Sequence, residues 1–275
     1  MVICMEERTN QELLQELKRL TKAQARVKRR TTFLLSIIAM LVLITGTLAW
    51  FTLSNFASVH ELTLKVSTAP ELYLDIENHG DNYKLYKKTL TNDMINTYLA
   101  SVNADRLDKQ LLDPVTSSNG IAMKNRSGAS REANKDTYLE IKVWFIATKE
   151  MWVHLSGQNV EVDGHSATTA VSTTETGLKA DIIRSLRVSY EDNGSASIWE
   201  PNKGSAVAGQ STFDVSKSFS NDTRLFHLDK LTPKQITIRI WLEGEDPECD
   251  NDVQDASVTI EMLFGGTDDN NSSFE

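Results

Sequence analysis

The sequence predicts a mainly β fold, an antiparallel two-sheet β-sandwich preceded by an N-terminal amphipathic helix and one transmembrane or signal helix. Three observations carry that expectation. One uncharged run, Phe33 to Leu53, separates a basic N-terminus from an acidic remainder. Beyond residue 53 the apolar residues change from helical spacing to strict alternation. Stretches rich in Gly, Asn, Asp and Ser then punctuate the alternating runs, as turns between strands require.

Residues 1–32 carry eight Lys/Arg against four Glu, a net of +4, which leaves −13 for the rest of a chain whose formal total is −9. Leu13, Leu14, Leu17, Leu20, Ala23 and Val27 follow helical spacing, with acid early and base late. That order suits the helix dipole and gives an amphipathic helix whose basic end can meet anionic lipid. The 21 residues from Phe33 to Leu53 are enough to cross a bilayer, for which about 20 suffice. Cationic flanks stay on the cytoplasmic side, so residues 1–32 are expected inside and the acidic part outside. The run serves either as an anchor or as a signal: Thr47 and Ala49 are the small residues that a signal peptidase needs before Trp50.

Residues 54–266 are expected to form the exported domain. Its strands are read from Leu62, Leu64 and Val66; from Leu72, Leu74 and Ile76; and from Leu139, Ile141, Val143 and Phe145. Three more come from Leu186, Val188 and Tyr190; from Ile236, Ile238, Ile240 and Leu242; and from Val258, Ile260, Met262 and Phe264. Each run has one apolar and one mainly polar face, as half-buried antiparallel strands do. Residues 91–112 have helical character and are expected to cap one end. The stretches 113–136, 156–177 and 191–211 are too long for hairpin turns and are read as surface loops or as holding extra short strands. The polar tail 267–275 is expected to be disordered.

The chemistry in this chain is sparse. A charge of −13 outside excludes a phosphate-binding surface, so nucleic acid is not a partner. Cys4 and Cys249 lie on opposite sides of the apolar run and cannot pair within one chain. Cys249 stands among carboxylates that raise a thiol's pKa and make it a poor nucleophile. No two of His60, His79, His154, His165 and His227 are within four residues, and no zincin helix, phosphate loop or nucleophile elbow occurs. The candidate cofactor is calcium. Asp246, Glu248, Asp250 and Asp252 alternate as D-x-E-x-D-x-D, and alternating carboxylates can converge on an ion that takes 6–8 oxygens. An EF-hand fails, because Asn251 and Ser257 stand where its glycine and glutamate belong. Trp144, Trp152 and Trp241 lie on or beside strands. The parity of Trp144 places it on an outer face, to be covered by another element or used for a partner.

After its basic flank, "GTLAWFTLSN" resembles the start of exported Firmicutes surface proteins cut by a SipW-type signal peptidase, among them the TasA/camelysin group. "IRIWLEGEDPECDNDVQDASVTIEMLF" is similar to the C-terminal strand–loop–strand of clostridial surface proteins with the same "AWFT" start. The TasA resemblance implies a jelly-roll-like sandwich outside the cell. It also implies self-assembly by strand exchange, with a donor strand falling at Ser54 to Val66. The camelysin resemblance implies a metal-dependent surface protease, for which His154, His165 or His227 would have to converge. The leading expectation is a non-enzymatic cell-surface or biofilm-matrix protein, structural or adhesive, with a calcium-stabilised adhesin as a further alternative.

Overall fold

The computed structural model describes residues 18, 19, 21, 22, 28, 32–40, 57–67, 71–102, 107, 111–125 and 137–274. The chain divides into two units, Met1–Ser54 and Asn55–Glu275. In the first, residues 32–40 are helical and expose Phe33, Leu34, Leu35, Ile38 and Met40. Among the described residues no helix is long and apolar enough to cross a membrane. Most of 33–53 lies outside them, as do the cleavage residues Thr47, Ala49 and Trp50.

The second unit is mainly β. It opens with β1 (Ala57–Val66), β2 (Leu72–Asp75) and β3 (Thr89–Leu90), then the helix Asn92–Ser101, β4 (Leu111–Leu112), β5 (Val115–Thr116) and β6 (Lys124–Asn125). The middle holds β7 (Leu139–Ala147), β8 (Met151–Leu155), β9 (Val160–Val162), β10 (His165–Ala167) and β11 (Ala170–Ser172). There follow β12 (Leu186–Asp192), β13 (Ser195–Trp199), β14 (Thr212–Phe213), β15 (Arg224–Leu228), β16 (Lys234–Leu242) and β17 (Ser257–Thr267). One sheet runs β15-β8-β17-β1-β3, with β11 and β4 joined to β17 and β1; the other runs β14-β13-β12-β16-β7-β2.

The alternating residues meet in one core. Leu139, Ile141, Val143 and Phe145 from β7 and Ile236, Ile238, Ile240 and Leu242 from β16 join Val258, Ile260, Met262 and Phe264 from β17. Phe145 reaches across the sheets to Phe226 and Phe264, with ring centroids 5.0 and 5.1 Å away. Each such side chain removed from water stabilises the fold by about 1.5–3 kcal/mol.

The sheets are mixed, which corrects the antiparallel expectation. β1 runs parallel to β17 from Ser58↔Ser257 to Val66↔Phe264, and β14 runs parallel to β13. Alternation marks which face is buried but is silent on strand direction, and a parallel partner can come from anywhere along the chain. In β1 the register shifts between Val59 and Glu61. This bulge at His60 carries the buried positions from odd (Ala57, Val59) to even (Leu62, Leu64, Val66).

The predicted helical stretch contains the helix Asn92–Ser101, which buries Ile95, Asn96 and Leu99. The tail is a second correction. Residues 267–274 fold back on the sheet: Thr267 bridges Ser273, the Phe274 amide donates to Gly266 O, and Phe274 packs against the core. The Asp268 side chain accepts from the Asn270 and Ser272 amides and so sets a turn that polar composition alone conceals.

Candidate functional site

The predicted calcium residues do not gather around one point. Asp246 and Glu243 are buried, whereas Asp250 and Asp252 are exposed at the surface. Asp250 caps its own turn by accepting from the Asp252 amide at 2.8 Å, and Glu248 accepts from the Ser205 amide and hydroxyl. The turn after β16, in which the Asp246 amide donates to Glu243 O and the Cys249 amide to Asp246 O, aims the first carboxylates inward. Cys249 itself is buried in the core.

What those carboxylates meet is Arg187 on β12, whose parity points it away from the core between Leu186 and Val188. Its Nη2 lies 2.7 Å from Asp246 and 3.2 Å from Glu200. Its Nη1 donates to the Arg184 and Leu186 carbonyls, and its Nε to Gln210 Oε1. Gln210 passes the network to Glu243 and Ser117 O, and Glu243 also accepts from the Trp241 indole at 3.1 Å. Burial pushes the Asp246 carboxyl up to about 6, and its hydrogen bond with Glu248 holds Glu248 down at about 2. The two carboxyls are thus shifted in opposite directions. Trp241 is sealed beneath Val115, Met123, Tyr138 and Ile198, so a loop covers that outer face.

The three histidines named for a protease are separated. His154 on β8 is buried, with Nδ1 3.1 Å from Thr223 Oγ1 and Nε2 2.8 Å from Thr267 Oγ1, against the Phe219 ring. Burial lowers its pKa to about 4. A neutral ring, one nitrogen donating and the other accepting, satisfies both threonines. His165 is exposed on β10, and Trp152, not His154, stands opposite His227 in the β8–β15 pairing.

A group that sequence reading missed lies on the outer face of the seven-stranded sheet. Because Leu228 pairs with Met151, the turn before β8 and the end of β15 are adjacent, bringing Glu150, His227 and Asp229 together. His227 Nε2 is 3.2 Å from Glu150 Oε1, and Nδ1 is 3.5 Å from Asp229 Oδ1. The imidazole rests edge-on against Trp152 at 4.8 Å, and the Arg224 guanidinium sits over the same indole at 4.6 Å. The folded tail completes the patch, since Trp152 Nε1 donates to Asp269 and Arg224 donates to Asp269 O and Asn271. Among the described residues these three side chains are the one group of His, Cys, Asp and Glu with the spacing to hold a metal ion. Their signal in the sequence was faint, because β15 shifts register between Arg224 and Phe226 and so breaks its alternation.

An open cleft of about 700 Å³ borders β13 and β14, lined by residues such as Ser197, Phe213, Asp214, Ser218 and Asp222, with no His, Lys or Arg in its walls. Compared with protein-family models, curated proteins and solved structures, the chain matches none.

Proposed function

We propose that this chain is a non-enzymatic cell-surface or matrix protein, structural or adhesive, tethered by or exported through residues 33–53. The basic segment stays inside, and residues 55–275 form a jelly-roll-like two-sheet sandwich outside. In this reading a SipW-type signal peptidase can cut before Trp50, as in the TasA/camelysin group that the opening sequence resembles.

The observation that carries the reading is the position of β1. It begins four residues beyond Leu53 and pairs with β17 over nearly its whole length. Among the described residues its other edge is paired near the ends, by β4 at Ala57 and Ser58 and by β3 at Leu64 and Lys65, with the Leu62 amide donating to Asn92 Oδ1 between them. A strand that follows the export segment closely in sequence and is zipped to β17 transmits load from tether to domain. Held chiefly by one neighbour, it is also the strand that a second copy of the chain could replace by strand addition.

Two measurements test this. N-terminal sequencing of protein from the cell surface and the medium should find a start at Trp50 or an intact Met1; recovery from the cytoplasm alone overturns the location. For strand exchange, Ser58→Cys with Ser257→Cys places thiols at paired positions of β1 and β17. Oxidation should then join different chains in assembled material, and cross-links confined to single chains would overturn exchange.

A further inference from the structure

We propose that His227 and Glu150 form an exchangeable surface site for a borderline divalent metal ion, Zn²⁺ or Cu²⁺, oriented by Asp229. The carboxylates flank the imidazole unequally. Asp229 Oδ1 lies 3.5 Å from Nδ1. On the other side of the ring, Nε2 lies 3.2 Å from Glu150 Oε1. Bonds of about 2.0–2.2 Å from imidazole nitrogen and carboxylate oxygen to one ion place the two donors about 3.3 Å apart at the tetrahedral angle. A carboxylate behind the other ring nitrogen is the usual device for fixing the tautomer of a ligating histidine.

Position and chemistry favour this class of ion. His227 is steadied by Trp152, while the side chains of Glu150 and Asp229 are 72% and 74% exposed and can turn to the ion with little rearrangement. Imidazole nitrogen selects Zn²⁺ or Cu²⁺ over Ca²⁺ and Mg²⁺, which prefer all-oxygen shells. Two protein ligands leave the remaining positions to water or to a donor from another molecule. The nearby cations have their own partners: Arg224 is taken up by Asp269, Asn271 and the Trp152 ring, and Lys149 lies over Phe274. The rival arrangement is the same surface cluster holding no ion, as exposed acidic groups commonly do.

The two arrangements differ in what Trp152 reports, because Cu²⁺ bound at Nε2 quenches the adjoining indole. The full chain in detergent, with Cys4→Ser to remove the N-terminal thiol, should show saturable quenching by one equivalent of Cu²⁺. Excess Zn²⁺, the weaker binder in the usual affinity order, should reverse it. His227→Gln should abolish the binding, Asp229→Asn should weaken it about tenfold, and each variant should keep the wild-type circular dichroism and melting midpoint. His154→Gln should leave it unchanged. Equal quenching of wild type and His227→Gln, or no saturable event below millimolar Cu²⁺, would overturn the site.

Discussion

On the outer face of the six-stranded sheet, Arg187 and Asp246 leave 1% and 0% of their side chains exposed; on the outer face of the seven-stranded sheet, Glu150 and Asp229 leave 72% and 74%. The buried group is closed: Arg187 donates four hydrogen bonds, with Glu200 a further 3.2 Å ion-pair partner, and among the described residues no buried side-chain polar atom lacks a partner. The open group lies at the surface around a single imidazole. The difference teaches where ligand chemistry can reside. A carboxylate already committed to a buried cation has no lone pair to offer an ion, and the four carboxylates that sequence spacing singled out include one of that kind. Carboxylates that contact solvent across from an imidazole retain theirs.

The comparison is broken most severely by removing the buried cation. Arg187→Met leaves Asp246 and Glu200 without their countercharge and should destabilise the domain by about 3–5 kcal/mol in urea unfolding. Arg187→Lys, which cannot supply five donors, should also destabilise it. Gly120 comes next. Its φ of +70° and the 2.7 Å between a Cβ built there and Ser189 Cβ leave no room for alanine. Gly120→Ala should lower stability by about 1–3 kcal/mol and expose Trp241 to quenching by acrylamide.

A smaller effect sharpens the contrast through pH. With its pKa raised to about 6, Asp246 binds a proton in the folded state that the unfolded chain has lost, so its contribution falls as pH rises from about 4 to 6. His154, lowered to about 4, acts oppositely in nearly the same window, since its unfolded ring takes up the proton and stability is lost as pH falls from about 6.5 to 4. Glu248, lowered to about 2, contributes stability that is lost as pH falls from about 4.5 towards 2. Unfolding of Asp246→Asn and His154→Gln against wild type between pH 4 and 7 should therefore give difference curves of opposite slope; slopes of one sign would refute the assignment. The least effect belongs to the open group, where Glu150→Gln should leave the melting midpoint unchanged in metal-free buffer.

All six strands marked by alternating residues exist, because a sheet with one face on the core writes its burial into every second residue. Of the remaining strands, β8 and β15 stayed hidden for identifiable reasons. In β8 the outward positions hold Trp152 and His154, which the tail and the 219–223 segment cover, so its polar face is not polar. In β15 the register shift breaks the period. The candidate sites fared less well. Spacing alone showed that Asp246 and Glu248 are neighbours, but not that Arg187, 59 residues away, would claim the first. Glu150 and His227 are just as remote in sequence, and only the β8–β15 register joins them.

The pairing of β1 with β17 also sets a schedule. Between Val66, where β1 ends, and Ser257, where β17 begins, synthesis must add roughly 190 residues, about 10–40 s at ~5–20 residues per second. Throughout that interval β1 has its principal hydrogen-bonding edge bare, so the seven-stranded sheet closes only once β17 has emerged. A chain stalled or shortened ahead of Ser257 would present that edge to whatever strand is nearest.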